Sequence, residues 1–342
     1  MKAIVYESCG SPDVLHYEEI KKPEVGDLQV LIRVRAASVN PLEAAEVKGV
    51  VPYLARIIFG LRKPEKAHPG RLGVDLAGEV EVVGKNVSRF RPGDAVFGVC
   101  VNDAQASGVK VWVHDQGAFA EYACAPEATL AIKPQNVTFE QAAAVGVAGL
   151  TALQALRDHG HIRPGYSVLV NGAAGGVGTF AVQIAKALGA EVTGVCRTSN
   201  ISLVRSIGAD YVVDYTQQDF TKLEQRYDLI LDCVSNHSLS EFRRILSTNG
   251  VLVMAGDQTG RGLFGIVGRL LGALMLSKLT RQKFVTFLAK PRQEDLATIQ
   301  GLMKSGKVTP VLDKSYSLSQ TAEAIRYLEQ KHARGKVVIT VA

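Results

Sequence analysis

The sequence predicts an α/β protein in two parts: a β-rich, barrel-like domain assembled from both ends of the chain and a parallel-sheet domain between them. Three observations carry this. At 342 residues the chain is too long for one small core and suits two domains of ordinary size. Its first third alternates apolar and polar residues in short runs broken by Gly, Pro and Asp, whereas its middle alternates short apolar runs with helix-like segments. After Lys290 the pattern changes again and closes on a strand, which reads as a return to the first domain.

The runs at 2–6, 29–36, 78–83, 94–101 and 118–125 are the expected barrel strands. Those at 167–171, 191–195, 211–213, 229–233, 251–255 and 283–289 are the expected strands of a sheet covered on both faces. An amphipathic helix over 295–304, an extended run at 309–317, a helix over 319–329 and a strand at 336–341 complete the chain. The strongest chemical signal lies at 167–195. There a buried strand, Ser167-Val168-Leu169-Val170-Asn171, meets the turn Gly172-Ala173-Ala174-Gly175-Gly176-Val177-Gly178. The turn opens a helix with Val177, Ala181, Ile184, Ala185 and Leu188 on one face, ended by Gly189. Such glycines let the backbone turn tightly and approach a pyrophosphate, which then meets the free N–H groups of the helix start. The full strand–turn–helix–strand context makes this a dinucleotide site.

The end of the second strand decides between the two nicotinamide dinucleotides, because an acid there binds the ribose hydroxyls of NAD. The chain has no acid between Glu191 and Asp210 and offers Cys196-Arg197-Thr198-Ser199-Asn200 instead. Arg197 with hydroxyl and amide neighbours suits the 2′-phosphate of NADP through charge-assisted hydrogen bonds.

Composition bounds the rest. Hydrophobic residues make up 47% and charged residues 21%, with a mean hydropathy of +0.10, which excludes a disordered chain and a polytopic membrane protein. The longest apolar run, 263–276, is too short to span a bilayer and contains Arg269. The first residues enter a strand pattern at once, so no signal or transit peptide is expected and the chain reads as cytoplasmic. The five cysteines, at 9, 100, 124, 196 and 233, are scattered and expected to be reduced thiols. His159 and His161 have no ligand-spaced partner, and no metal is expected there. Basicity is local: 258–293 holds seven bases and no acid, and 47–74 holds six bases and one acid. Both stretches are also apolar, so no nucleic-acid binding is inferred from the formal charge of +6.

Several ordered motifs give the chain a wider likeness: Ala37-Ser38-Val39-Asn40-Pro41, Gly73-Val74-Asp75-Leu76-Ala77-Gly78, Arg91-Pro92-Gly93-Asp94-Ala95-Val96, Gly117-Ala118-Phe119-Ala120-Glu121-Tyr122, Gly149-Leu150-Thr151-Ala152, the glycine turn, Gly208-Ala209-Asp210 and Gly335-Lys336-Val337-Val338. In that order, over nearly the full length, they resemble the medium-chain dehydrogenase/reductase superfamily, to which the zinc-containing alcohol dehydrogenases also belong. Within it the chain most resembles the zinc-free quinone oxidoreductase branch. The resemblance implies a GroES-like β-barrel catalytic domain from 1–134 and 290–342, and an NADP-binding Rossmann domain, a doubly wound parallel sheet, from 135–289.

Zinc-dependent relatives hold their catalytic metal at positions that correspond here to Asn40, Val74 and about Val147, which cannot supply thiolate or imidazole ligands. Cys100 stands alone where the structural-zinc lobe has four cysteines. The resemblance therefore implies hydride transfer from NADPH to an electron-poor acceptor, a quinone or an α,β-unsaturated carbonyl, with the protein supplying position. It places Asn40 near the nicotinamide ribose as the catalytic candidate and Thr151 near the phosphates or nicotinamide. It puts Ala173, Gly175, Gly176, Val177 and Gly178 at the pyrophosphate, and Arg197 and Tyr215 beside the 2′-phosphate. Phe287, Ala289, Gly335 and Lys336 would close the cofactor cleft. One departure is that Asn40-Pro41-Leu42-Glu43-Ala44-Ala45-Glu46 lacks the active-site tyrosine of many quinone reductases; Tyr53 is the nearby substitute, and solvent is the remaining proton source. A homodimer is expected by family habit. The basic-apolar segments 50–61 and 263–283 read either as a subunit interface or lid, or as a peripheral membrane contact. The alternatives to a quinone or enone reductase are a reductase of simple aldehydes or weak alcohol dehydrogenase, and an NADPH-binding regulatory or membrane-associated module with little turnover.

Overall fold

A computed structural model describes residues 1–49, 70–106, 109–113, 117–255, 263–330 and 333–341. In chain order its strands are β1 (Lys2–Tyr6), β2 (His16–Glu19), β3 (Gln29–Val39), β4 (Gly70–Arg71), β5 (Asp75–Val83), β6 (Ala95–Val99), β7 (Asn102–Ala106), β8 (Val109–Val113), β9 (Tyr122–Pro126) and β10 (Leu130–Ile132). Then follow β11 (Ser167–Asn171), β12 (Glu191–Cys196), β13 (Tyr211–Asp214), β14 (Tyr227–Asp232), β15 (Leu246–Met254), β16 (Lys283–Thr286), β17 (Leu312–Ser317) and β18 (Lys336–Thr340). The chain divides into two compact units, Met1–Val147 with Pro291–Lys304 and Pro310–Ala342, and Ala148–Lys290 with Ser305–Thr309.

The first unit is barrel-like. Its main sheet runs β10-β6-β5-β3-β18-β17 with β9 also on β3, beside a small β2-β1-β4 sheet and a β7-β8 hairpin. The long central strand β3 alternates inward residues Val30, Ile32 and Val34, which pack with Ile4, Leu72, Leu76, Phe119, Val337 and Ile339. Strand β18 comes from the far end of the chain and pairs antiparallel with β3, Val337 opposite Val39 and Val338 opposite Ser38. On the other side of β3, Ser38 faces Asp75 of β5. Three strands distant in sequence thus meet at one end of β3.

The second unit is a six-stranded, wholly parallel sheet in the order β13-β12-β11-β14-β15-β16. Its central strands are buried on both faces, as in Val168, Leu169 and Val170, which explains why they read as unbroken apolar runs. Order reverses between β11 and β14, and the Gly176–Ala187 helix leaves from the carboxyl end of β11. Phe220, Tyr227, Ile230, Phe242, Leu252 and Phe284 fill one side. Among the described residues no helix is long and apolar enough to cross a membrane.

Several elements differ from expectation. Residues 135–147, expected with the parallel sheet, fall in the first unit, where the Phe139–Ala143 helix rests on β3, β5 and β6. Residues 305–309 fall in the second, where Thr309 N donates to Gln183 Oε1 at 2.8 Å. The strand expected over 283–289 stops at Thr286, because its neighbour β15 ends at the opposite residue, Met254. The run at 118–125 becomes a strand only from Tyr122, since Ala118 N and Phe119 N donate to the loop carbonyls of Gly73 and Leu72. The exposed strand β2 and strand β7 carry no run of large apolar residues that would mark them, whereas β8 alternates Val109, Val111 and Val113 and is still not among the expected strands.

Gly335 turns the chain into β18 at φ +88°, and a Cβ there would lie 2.3 Å from Val311 O, the acceptor of Lys336 N at 2.9 Å. Gly335→Ala is expected to lower stability by roughly 3 kcal/mol, combining left-handed strain with a displaced hydrogen bond. Denaturant unfolding measures this, and an unchanged midpoint would rule out the turn as the reason for glycine.

Candidate functional site

The first unit buries a polar cluster where β3, β5 and β18 meet. Ser38, Glu43 and Asp75 are fully buried, and Asn40 and Lys336 nearly so. Asp75 collects four donors: Ser38 Oγ at 2.7 Å, Asn40 Nδ2 at 3.1 Å and Lys336 Nζ at 3.3 Å on Oδ2, and Val147 N at 2.7 Å on Oδ1. Gly146 makes the last contact fit, since a Cβ on it would lie 2.2 Å from Asp75 Oδ1. The carboxylate thus sits at the N-terminus of the Gly146–Gln154 helix, where negative charge is favoured. Lys336 Nζ also donates to Asn40 Oδ1 and, at 3.3 Å, to Val39 O.

Glu43 closes the cluster from below. Pro41 begins a short helix, Pro41–Val47, and Glu43 on its first turn reaches back to accept from Asn40 N at 2.8 Å. Its other oxygen accepts from Val74 N at 3.0 Å and Asn40 Nδ2 at 3.4 Å. Burial, and then the neighbouring Asp75, raise its pKa from 4.5 to about 7, against the pull of the N–H donors and Lys336.

Asn40, Val74 and Val147 therefore do come together, around Glu43 and Asp75. An amide and two isopropyl groups are no zinc ligand set, and the backbone N–H groups of both valines are already committed to carboxylates. The residues here do not fit a catalytic zinc. Cys100 is buried and its thiol donates to Gly73 O at 3.1 Å, so it is held as a core residue, and burial pushes its pKa up. Among the described residues no group of three or more His, Cys, Asp or Glu is placed to hold a metal.

The second unit carries the glycine turn. Thr179 N closes on Gly175 O at 2.9 Å, and the N–H groups of Gly176, Val177 and Gly178 before it lie in the first turn of the helix, outside its internal ladder. Gly178 is required by packing: a Cβ would meet Gly172 O at 2.1 Å. Above Gly175 the space is open apart from Gly172 O at 3.4 Å, and buried Ala173 packs under the turn. A cradle of free N–H groups with an open side fits the pyrophosphate of a nicotinamide dinucleotide.

Arg197 follows β12 and Tyr215 follows β13, and the register Cys196 opposite Asp214 makes them neighbours. Tyr215 N donates to Cys196 O at 3.0 Å, and its side chain is half exposed. Asp214, which no motif marks, ties the two strand ends: it accepts from Thr198 Oγ1, from Thr216 N at 2.9 Å and from Thr216 Oγ1 at 2.8 Å. The Thr198 bond leads the causes that hold its carboxyl below the usual range. Also unforeseen is Asp232, fully buried at the end of β14, which accepts from Asn171 Nδ2 at 2.9 Å and pairs with Arg269 at 3.1 Å.

The remaining expected residues are dispersed. Thr151 is half-buried on the Gly146–Gln154 helix. Phe287 and Ala289 lie beyond the end of β16, with the Phe287 ring 4.3 Å from His159. Gly335 is a turn residue of the first unit, and Lys336 is turned into the polar cluster. Tyr53 and the segment 50–61 lie outside the described residues.

Comparison with known proteins gives a consistent picture. Residues 26–135 match the family model described as alcohol dehydrogenase GroES-like domain, and residues 207–339 match that described as zinc-binding dehydrogenase. The chain is 32% identical over 350 residues to the chloroplast envelope quinone oxidoreductase homolog of Arabidopsis thaliana, covering 99% of this chain and 98% of that one. It is also 32% identical over 349 residues to the chloroplastic NADPH-dependent alkenal/one oxidoreductase of the same plant, covering 99% and 79%. The solved quinone oxidoreductase of Coxiella burnetii superposes with a TM-score of 0.81 at 29% identity, over 100% of this chain and 99% of that one.

Glu43 sets a pH test. For an acid raised in the folded state, the neutral form is favoured, so its stabilising contribution is present below the unfolded value of 4.5 and lost as pH rises to about 7. Unfolding free energy is expected to fall across that window by up to about 3 kcal/mol. Glu43→Gln, whose amide cannot accept from both Asn40 N and Val74 N, should be less stable at the acid end and lack the slope. Equal slopes in both proteins would remove Glu43 as its source.

Proposed function

Since the chain belongs to the quinone oxidoreductase branch of the medium-chain dehydrogenase/reductase superfamily, we propose that it is an NADPH-dependent reductase of quinones or α,β-unsaturated carbonyls that works without a catalytic zinc. Its membership makes it an oxidoreductase using a nicotinamide cofactor. The observation that carries the finer reading is that Asn40, Val74 and Val147, each bonded through its backbone N–H to Glu43 or Asp75, offer an amide and two isopropyl groups and no metal ligand. A metal-activated alcoholate has nothing to bind there, and the chemistry left to the family is hydride addition to an acceptor that is already electron-poor.

When bound, the reduced nicotinamide supplies the hydride. The backbone N–H groups of Gly176, Val177 and Gly178 would hold its pyrophosphate, and Arg197 with Tyr215 would take the 2′-phosphate. Asn40 is the side chain offered for the nicotinamide ribose, its amide held in one orientation by Lys336 on Oδ1 and Asp75 on Nδ2. A residue fixed from both ends positions a partner without reorganising, which is what orientation catalysis requires. The product anion takes its proton from solvent.

Oxidation of NADPH and NADH followed with a benzoquinone, an enal, an enone and a saturated aldehyde tests this. NADPH-selective turnover of the quinone or the enone supports the reading. Faster turnover of the aldehyde, or tight NADPH binding with no turnover on any acceptor, overturns it. Arg197→Ala is expected to raise KM for NADPH by roughly 10–100-fold, the loss of one or two charge-assisted hydrogen bonds, while leaving kcat/KM with NADH nearly unchanged. Equal losses with both cofactors would remove Arg197 from the phosphate site.

A further inference from the structure

In its described part the Leu263–Leu279 helix lays Arg269, Ala273, Leu276 and Ser277 on the sheet and also presents large apolar side chains outward. Arg269 reaches inward, donating to His237 O at 2.8 Å and pairing with buried Asp232 at 3.1 Å. Ala273 is buried, Ser277 Oγ accepts from Phe284 N at 2.9 Å, and Thr280 just past the helix donates back to Leu276 O at 2.8 Å. These positions recur every three or four residues and form the face laid on the sheet. The opposite face has the same spacing: Leu271, Leu274, Met275 and Leu279 are 57%, 60%, 62% and 76% exposed. Exposed Lys278 stands within that stripe, and exposed Arg281 and Lys283 follow it, the latter on the edge strand β16. Over 258–293 the chain contains no acid.

An apolar stripe of this size implies an occupant, and charge selects which. A two-fold contact with a second copy would lay this patch, with Lys278, Arg281 and Lys283 in it, onto the same patch, with no acid in the segment to answer them. An anionic lipid surface offers acyl chains to the stripe and headgroups to the bases, and a lysine within the stripe reaches the headgroups along its own stem. We infer that the Leu271, Leu274, Met275 and Leu279 face docks peripherally on an anionic membrane, with Lys278, Arg281 and Lys283 at headgroup level. The helix lies on the surface, being too short to cross it. This stands apart from the proposed reaction, because it is read without turnover.

The test is co-sedimentation of the whole protein with phosphatidylcholine vesicles, with and without phosphatidylglycerol. Retention on the anionic vesicles at low ionic strength, released by salt, is expected. The double variant Leu274→Ser with Met275→Ser, and separately Lys278→Glu, should each bind at least about tenfold more weakly while keeping the wild-type circular dichroism spectrum. No retention at low salt, equal retention on neutral vesicles, or full retention of a folded variant would overturn the inference. So would sedimentation velocity showing that the double variant turns a dimer into a monomer with vesicle binding unaltered, which would give the face to a second copy.

Discussion

A fully buried carboxylate needs partners on every side, and Asp75 finds them in four different parts of the first unit. Stripping water from a charge costs several kcal/mol unless cation and hydrogen bonds replace it. Here the replacement comes from β3 through Ser38, from the loop after it through Asn40, from β18 through Lys336 and from a helix start through Val147. Each of these groups is fixed in turn by answering Asp75. The position of Asn40 is therefore a by-product of an electrostatic demand made one strand away, and Glu43 supports it from the opposite side.

The same economy appears in the parallel sheet. Asp232 holds Asn171 at the end of β11 and Arg269 from the Leu263–Leu279 helix, while its own loop returns N–H groups from Val234 and Ser235. Asp214 holds the threonines that follow β12 and β13. Both acids sit at carboxyl ends of parallel strands, where the glycine turn also lies, so the rim of the sheet is stiffened by side chains that do not occupy the N–H groups of Gly176, Val177 and Gly178.

What could be read from the residues was what is local. The glycine turn, its strand and its helix span about thirty consecutive positions, and their period and punctuation identify them. The central parallel strands are apolar on both faces and announce themselves in the same way. The polar cluster is a different case, because Lys336 and Asp75 lie 261 residues apart and only the pairing of β18 with β3 brings them together. Glu43 stood in plain view after Asn40 and Pro41, yet nothing local told a capping acid that is exposed from one sunk among strands. The 263–283 segment reads in the sequence as basic and apolar; which side faces in is decided by Arg269, whose buried partner comes from β14.

The C-terminal strand has a consequence for biosynthesis. Strand β3 needs β18 to complete its hydrogen bonding, and Asp75 needs Lys336, but the ribosome delivers both about three hundred residues after β3. Until they emerge, the nascent barrel exposes an unpaired apolar strand edge and a carboxylate without its cation, and it stays so while the whole parallel sheet is made. Such a topology favours late closure and a long stay with chaperones that shield strand edges. Strand β18 is thus what converts the first third of the chain from a sticky intermediate into a closed domain.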